Sequence, residues 1–180
     1  MTEEKTISKE IQFDAAHRVP LHQSKCANIH GHRFTIIAEL TGDLVEDGPQ
    51  TDMILDYGFL KQILMDNVDA LCDHGIILSM SDTKFINMAY DEKLTRTPYH
   101  IFSDWYENVI ESIEKNSFWA GQSTFGKTYI INGAPTAEYL AMHFFKILAP
   151  KILEKTGGKA WLSAITFKET PSSTATYRIR

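Results

Sequence analysis

A chain of 180 residues, 43% of them hydrophobic, can bury one sizeable core but is a tight fit for two, so one domain over residues 1–180 is expected. A net charge of -5 argues against a general nucleic-acid surface, and no window approaches the roughly 20 apolar residues of a membrane span. The two cysteines are too few for a disulfide framework, and the opening MTEEKTISKE lacks the apolar stretch of a signal peptide. A cytoplasmic protein with reduced thiols is the expectation.

In chain order, TISKEIQFDAAH places Ile7, Ile11 and Phe13 at period two, with Lys9 breaking the series, and predicts a half-buried strand. RFTIIAELTG repeats the alternation with Phe34, Ile36, Ala38 and Leu40 on one face, and the two strands should pair as an antiparallel ribbon. EDGPQTD is turn chemistry. Asp56 then caps a predicted helix in which Leu60, Ile63, Leu64, Val68 and Leu71 recur at three- and four-residue spacing. The stretch from about 80 to 130 fits the plan less well and reads as an insertion. It holds one further helix, capped by Ser103, with Phe102, Trp105, Tyr106, Val109, Ile110 and Ile113 on its buried side. A second main helix starts near Thr136, has Glu138 in its first turn and buries Leu140, Ala141, Phe144 and Leu148. Pro150 should kink or end it. WLSAITFKE and TATYRIR, parted by a turn at 171–173, supply the last strands. The expected architecture is α+β: a four-stranded antiparallel sheet with two main helices on one face, plus the insertion with its extra helix.

Chemistry concentrates in CANIHGH, residues 26–32. Residues two apart in a strand point to the same side, so His30 and His32 project together, while Gly31 removes a side chain from the opposite face. His17, at the end of the first strand, reaches the same point if the ribbon forms. Three imidazoles with an open fourth position describe a catalytic zinc site rather than a structural one. Cys26 can close that site as a fourth ligand, or stand back as a reactive thiol that serves as a base near a divalent cation; its spacing permits either. Cys72 falls on the apolar face of the first helix and reads as a core thiol. Asp73 and His74 end that helix. By spacing alone His74 suits the negative helix C-terminus, and the alternative is a proton relay. Glu169 reads as a surface carboxylate or as a bidentate acceptor for a guanidine-like edge.

Taken together, FDAAHR, CANIHGHRF, LDYGFLK, CDHGIIL, PTAEYLA and FKET resemble the 6-pyruvoyl-tetrahydropterin synthase and 6-carboxytetrahydropterin synthase family. The resemblance implies the tunnelling fold, with subunits in a ring, sites at subunit interfaces and a homohexamer built as a dimer of trimers. It implies Zn2+ on His17, His30 and His32, Cys26 as the catalytic thiol, and Asp73 and His74 as the relay. Glu169 would anchor the pterin's amino-pyrimidinone edge, with Thr136 and Glu138 lining the same pocket. Three residues separate Cys26 from His30, as in the bacterial carboxytetrahydropterin branch, whereas a folate-directed branch carries a glutamate in place of the thiol. The implied reaction converts 7,8-dihydroneopterin triphosphate to 6-carboxy-5,6,7,8-tetrahydropterin, acetaldehyde and triphosphate, a lyase step toward 7-deazapurines such as queuosine. Lys25, Arg18, Arg33, Lys168 and Arg178 are the nearest candidates for the triphosphate. The insertion, an Asn missing after DHGIIL and the altered NGAPTAE depart from the family pattern. Three other readings compete: a 6-pyruvoyl-tetrahydropterin synthase, a non-catalytic pterin- or purine-binding module, and a closed structural zinc site in an interaction protein.

Overall fold

The computed structural model describes residues 4–90 and 102–179. Strands β1 (Thr6–His17) and β2 (His30–Gly42) form the expected ribbon, paired antiparallel from Thr6↔Thr41 to His17↔His30. Period-two apolar spacing sets this register, because a slip by one residue would turn Phe13, Phe34 and Ile36 out of the core. β6 (Ala160–Thr170) pairs antiparallel with β2, and β7 (Ser173–Arg178) with β6, as the two C-terminal alternations predict.

The sheet is larger than four antiparallel strands. Its order is β4-β5-β3-β1-β2-β6-β7, seven strands, where β3 is Gly75–Ser79, β4 Phe118–Ser123 and β5 Gly126–Ile131. β3 runs parallel to both β1 and β5, so the sheet is mixed. The added strands escape the alternation test because β3 is the continuous apolar run Ile76-Ile77-Leu78, buried on both faces, which is the pattern of a parallel strand covered on each side.

That double burial also corrects the expectation of helices on one face. The main core joins the sheet to α1 (Tyr57–Leu64) and α5 (Ala137–Lys155), through Phe13, Phe34, Phe167, Leu60, Phe144 and Ile77. Ile76, Leu78 and Ile130 face the other way, against Ile86 of α3 (Thr83–Ala89) and Trp105 and Val109 of α4 (Phe102–Asn116). The inserted segment therefore builds a third layer over the β4-β5-β3 end, with its own core. Over the rest of that face, Glu10, Gln12 and Arg33 stand exposed.

Asp56 caps α1 as predicted, accepting the Gly58 N–H at 2.6 Å. The helix continues through a π turn at Met65–Asp69 into α2 (Ala70–Cys72), so Leu64, Val68 and Cys72 all stay buried. Burial pushes the Cys72 thiol far up, and this cysteine is the inert core residue its position predicts. Ser103 does not cap α4: it lies inside the helix, and the residue before Phe102 is outside the described residues. Pro150 does not end α5, which runs on to Lys155; burial of Ile152 beyond it outweighs one lost backbone hydrogen bond.

Within the main core Tyr129 Oη and His143 Nε2 share a hydrogen bond of 2.8 Å. Burial, with Lys146 in support, pushes His143 down to about 4. An unfolded His titrates near its ordinary value of about 6.5, so the unfolded chain binds the extra proton first. The stability linked to neutral His143 is complete above that value and is lost as pH falls toward 4. Urea unfolding at pH 7 and pH 5 should show this residue removing about 2 kcal/mol over the interval. The paired change Tyr129→Phe, His143→Leu should abolish that part of the slope. An unchanged slope would assign the acid sensitivity elsewhere.

Candidate metal centre and catalytic cleft

His17, His30 and His32 meet because the β1–β2 register sets them on one face, above Phe34, whose ring lies 5.2 Å from His17 and 5.4 Å from His32. With Glu169 from the end of β6 they form a cluster whose ligand atoms all lie within 4.8 Å of one another. Two tautomers are fixed by carbonyls, which only accept. His17 Nδ1–H donates to Pro135 O at 2.8 Å, and His30 Nδ1–H to Asn28 O at 2.8 Å. Each ring therefore keeps an Nε2 lone pair for another partner, the usual way an outer partner orients a ligating histidine.

His17 Nε2 is buried without a hydrogen bond; its nearest charged neighbour is Glu169 Oε1 at 3.3 Å, off line. Burial lowers the His17 pKa, against the opposing pull of the Pro135 carbonyl and Glu169, and so favours the neutral, ligating form. A buried acceptor with no donor is costly unless something electron-poor sits there. The donor set fits a divalent metal: three imidazoles suit zinc, with a fourth position left for Glu169 or substrate.

Beside the cluster lies a cleft of about 520 Å³ lined by Cys26, Glu169, Thr136, Glu138, His22 and the start of β7. Cys26, half-buried in the short turn Lys25–Ala27, belongs to this cleft and not to the set of potential ligands. Thr136 caps α5 by accepting the Tyr139 N–H at 3.3 Å, and Glu138 follows in the first turn. Gly133 makes room on the approach for the Tyr139 ring, which a Cβ there would meet at 2.2 Å and displace. The NGAPTAE segment thus orients a potential metal ligand, His17, through Pro135 and builds the cleft wall through Thr136.

His74 opens elsewhere, into a hollow of about 420 Å³ with Asp14, Gly31, His32 and Arg33, which shares no lining residue with the Cys26 cleft. His74 Nδ1 and Asp73 Oδ2 are 2.6 Å apart, so an ionised Asp73 accepts Nδ1–H and leaves His74 Nε2 facing out. The pair is locked to the edge of β1: Asp14 N–H donates to Asp73 Oδ1 at 2.9 Å, and His74 N–H to Asp14 O at 2.7 Å. His74 sits at φ 56°, in the left-handed region, a conformation that costs a non-glycine residue about 1–3 kcal/mol and recurs at functional sites. Burial raises the Asp73 pKa, but the Asp14 N–H, His74 and Lys127 outweigh it and hold the carboxyl below its usual range.

Of the candidate triphosphate cations, Arg18 is engaged by Asp82, Arg33 by Asp14 and Arg178 by Glu39. Lys25 and Lys168 have no carboxylate within 4.0 Å among the described residues. Sequence reasoning missed Pro135, Asn28 and Asp14. The first two act through backbone carbonyls, which leave no side-chain signal; Asp14 stands in FDAAH as an ordinary outward residue.

A family model described as 6-pyruvoyl tetrahydropterin synthase matches residues 6–180. The chain is 30% identical over 169 residues to the 6-carboxy-5,6,7,8-tetrahydropterin synthase of Rickettsia bellii, covering 92% of this chain and 94% of that one. It is also 30% identical over 172 residues to the protein of the same name from Haemophilus influenzae, covering 96% and 97%. Among solved structures, an uncharacterized protein of Wolinella succinogenes superposes with TM-score 0.71 at 18% identity over 99% of this chain and 100% of that one. The Caenorhabditis elegans 6-pyruvoyl tetrahydropterin synthase superposes with TM-score 0.57 at 19% identity, over 99% and 97%. At these identities the two structures establish the fold.

Proposed function

Because this chain belongs to the 6-pyruvoyl tetrahydropterin synthase family, we propose that it is a cytoplasmic, zinc-dependent 6-carboxy-5,6,7,8-tetrahydropterin synthase. It would convert 7,8-dihydroneopterin triphosphate and water to 6-carboxytetrahydropterin, acetaldehyde and triphosphate, toward queuosine. The observation that carries this reading is the orphaned His17 Nε2, converging with His30 and His32 beside a cleft that holds Cys26.

His17, His30 and His32 would hold the zinc, which when bound would supply Lewis-acid polarisation of substrate oxygen. Glu169 accepts two N–H bonds from the pterin's amino-pyrimidinone edge, and Thr136 and Glu138 shape the pocket around it. Cys26 as thiolate takes a proton from the substrate side chain and returns one. His74, its Nδ1–H held by Asp73, exchanges the complementary proton through Nε2.

The separate clefts are reconciled by assembly into a ring. β1 has β3 beside it only at Ala15–His17, so among the described strands its outer edge before Ala15 has no partner; the outer edge of β7 is also unpaired. β1 ends and β7 begins at the same rim, and the two run in opposite directions. Antiparallel β1–β7 pairing between copies therefore brings the Cys26 cleft of one subunit beside Asp73 and His74 of the next, and such head-to-tail contacts close into rings. The proposed assembly is a hexamer of two such trimers.

Incubating the metal-analysed protein with 7,8-dihydroneopterin triphosphate should release acetaldehyde together with 6-carboxytetrahydropterin. Product without acetaldehyde would instead point to the 6-pyruvoyl synthase, and bound pterin without turnover to a binding module.

A further inference from the structure

Arg18 leaves β1 one residue after His17 and packs against the inserted layer. Its Nε lies 3.3 Å from Asp82 Oδ2, an ion pair in which neither buried atom makes a hydrogen bond, with Arg18 15% and Asp82 6% exposed, and its guanidinium lies 4.4 Å from the centre of the Phe85 ring. Phe85 stacks on Phe125 with ring centres 5.8 Å apart. Asp82 is itself fixed at the head of α3: its N–H donates to Ser79 O at 3.0 Å and its carbonyl accepts the Ile86 N–H at 2.9 Å. On the other side of Arg18, the Val19 N–H donates to Cys26 O at 2.8 Å. A continuous path therefore runs from the inserted layer, through Arg18 and Val19, to the backbone of the cleft cysteine.

We infer that the inserted layer is a positioning element for the catalytic cleft: Asp82 and Phe85 hold Arg18 in place, and Arg18 steadies the loop that sets Cys26 in the cleft beside Glu169. A buried ion pair is weak evidence of stability, since apolar residues of similar volume often pack as well. What the contact adds is placement, because the guanidinium is drawn to the carboxylate on one side and to the ring face on the other. The contact falls where orientation matters, between His17 and the turn carrying Cys26. Asp82 and Phe85 reach no substrate and act only through Arg18. The catalytic part of this inference rests on the reaction proposed above.

The test is the double variant Arg18→Met, Asp82→Leu, which keeps the volume buried, with Asp82→Asn as a shape-preserving second variant if the first fails to fold. Zinc content and thermal midpoint should stay close to those of the parent protein. Alkylation of Cys26 by iodoacetamide should become about 5-fold faster as the loop loosens, and Asp82→Glu should recover part of the difference. With 7,8-dihydroneopterin triphosphate, kcat should fall about 10-fold or more with KM less affected, as misplacement of a catalytic group predicts. A folded, zinc-loaded variant with parental alkylation rate overturns the inference, and unchanged kcat does the same. The alkylation arm needs no turnover, so it decides the matter even if the parent protein proves inactive on this substrate.

Discussion

Replacing Cys26 with alanine is expected to lower turnover of 7,8-dihydroneopterin triphosphate by about 10²- to 10⁴-fold, the range for loss of a positioned acid or base, while fold and zinc content are kept. The geometry underlies both halves of this expectation. Cys26 lines the 520 Å³ cleft with Glu169, Thr136 and Glu138, where a substrate proton can reach it. It is absent from the group of ligand atoms that converge within 4.8 Å. If the thiol instead closed a structural site, the same variant would lose metal and stability together. Metal analysis and a thermal melt beside the rate measurement therefore separate the two readings that the sequence leaves open.

His17→Ala is expected to do the opposite, abolishing metal binding and, with it, activity. Loss of an outer partner of a ligand already costs about 10–100-fold in metal affinity, and loss of the ligand itself should cost more. His17 is fully buried, anchored to Pro135 and packed on Phe34, so water cannot easily take over its place. His143 supplies the control, being another buried histidine of the same core whose Nε2 is already satisfied by Tyr129. Its replacement should alter acid stability and leave metal affinity unchanged. Equal metal loss in both variants would mean that the effect comes from a disturbed core and not from ligation.

The difference between what was legible in the sequence and what was not is physical. His30 and His32 could be read as convergent because they sit in a strand whose alternation is clear, and His17 because the partner strand has the same period. β3 was hidden because burial on both faces erases alternation, and β4 and β5 because they belong to the insertion that β3 recruits into the sheet. By spacing alone Asp73 and His74 read first as helix-end residues, with a proton relay as the alternative; the left-handed φ at His74 and the bonds to the edge of β1 follow from the turn into β3, which no spacing rule foresees. Arg18 and Arg33 read from sequence as candidates for the triphosphate, since the acids that engage them are 64 residues ahead in one case and 19 behind in the other. That Cys26 and His74 open into different hollows could not be read from sequence at all, because it depends on how loops far apart in the chain are arranged around the ends of β1, β2 and β6.

That separation gives the account its most direct test. Cys26→Ala and His74→Ala proteins, each inactive alone, are mixed, dissociated and reassembled, and turnover of 7,8-dihydroneopterin triphosphate is measured. If each site takes its thiol from one subunit and its relay from the next, random reassembly should restore about a quarter of the parental activity, because about one interface in four then joins an intact Cys26 to an intact His74. Mixed assemblies that form but remain as inactive as either variant alone would contradict the shared site, and with it the mechanism proposed here.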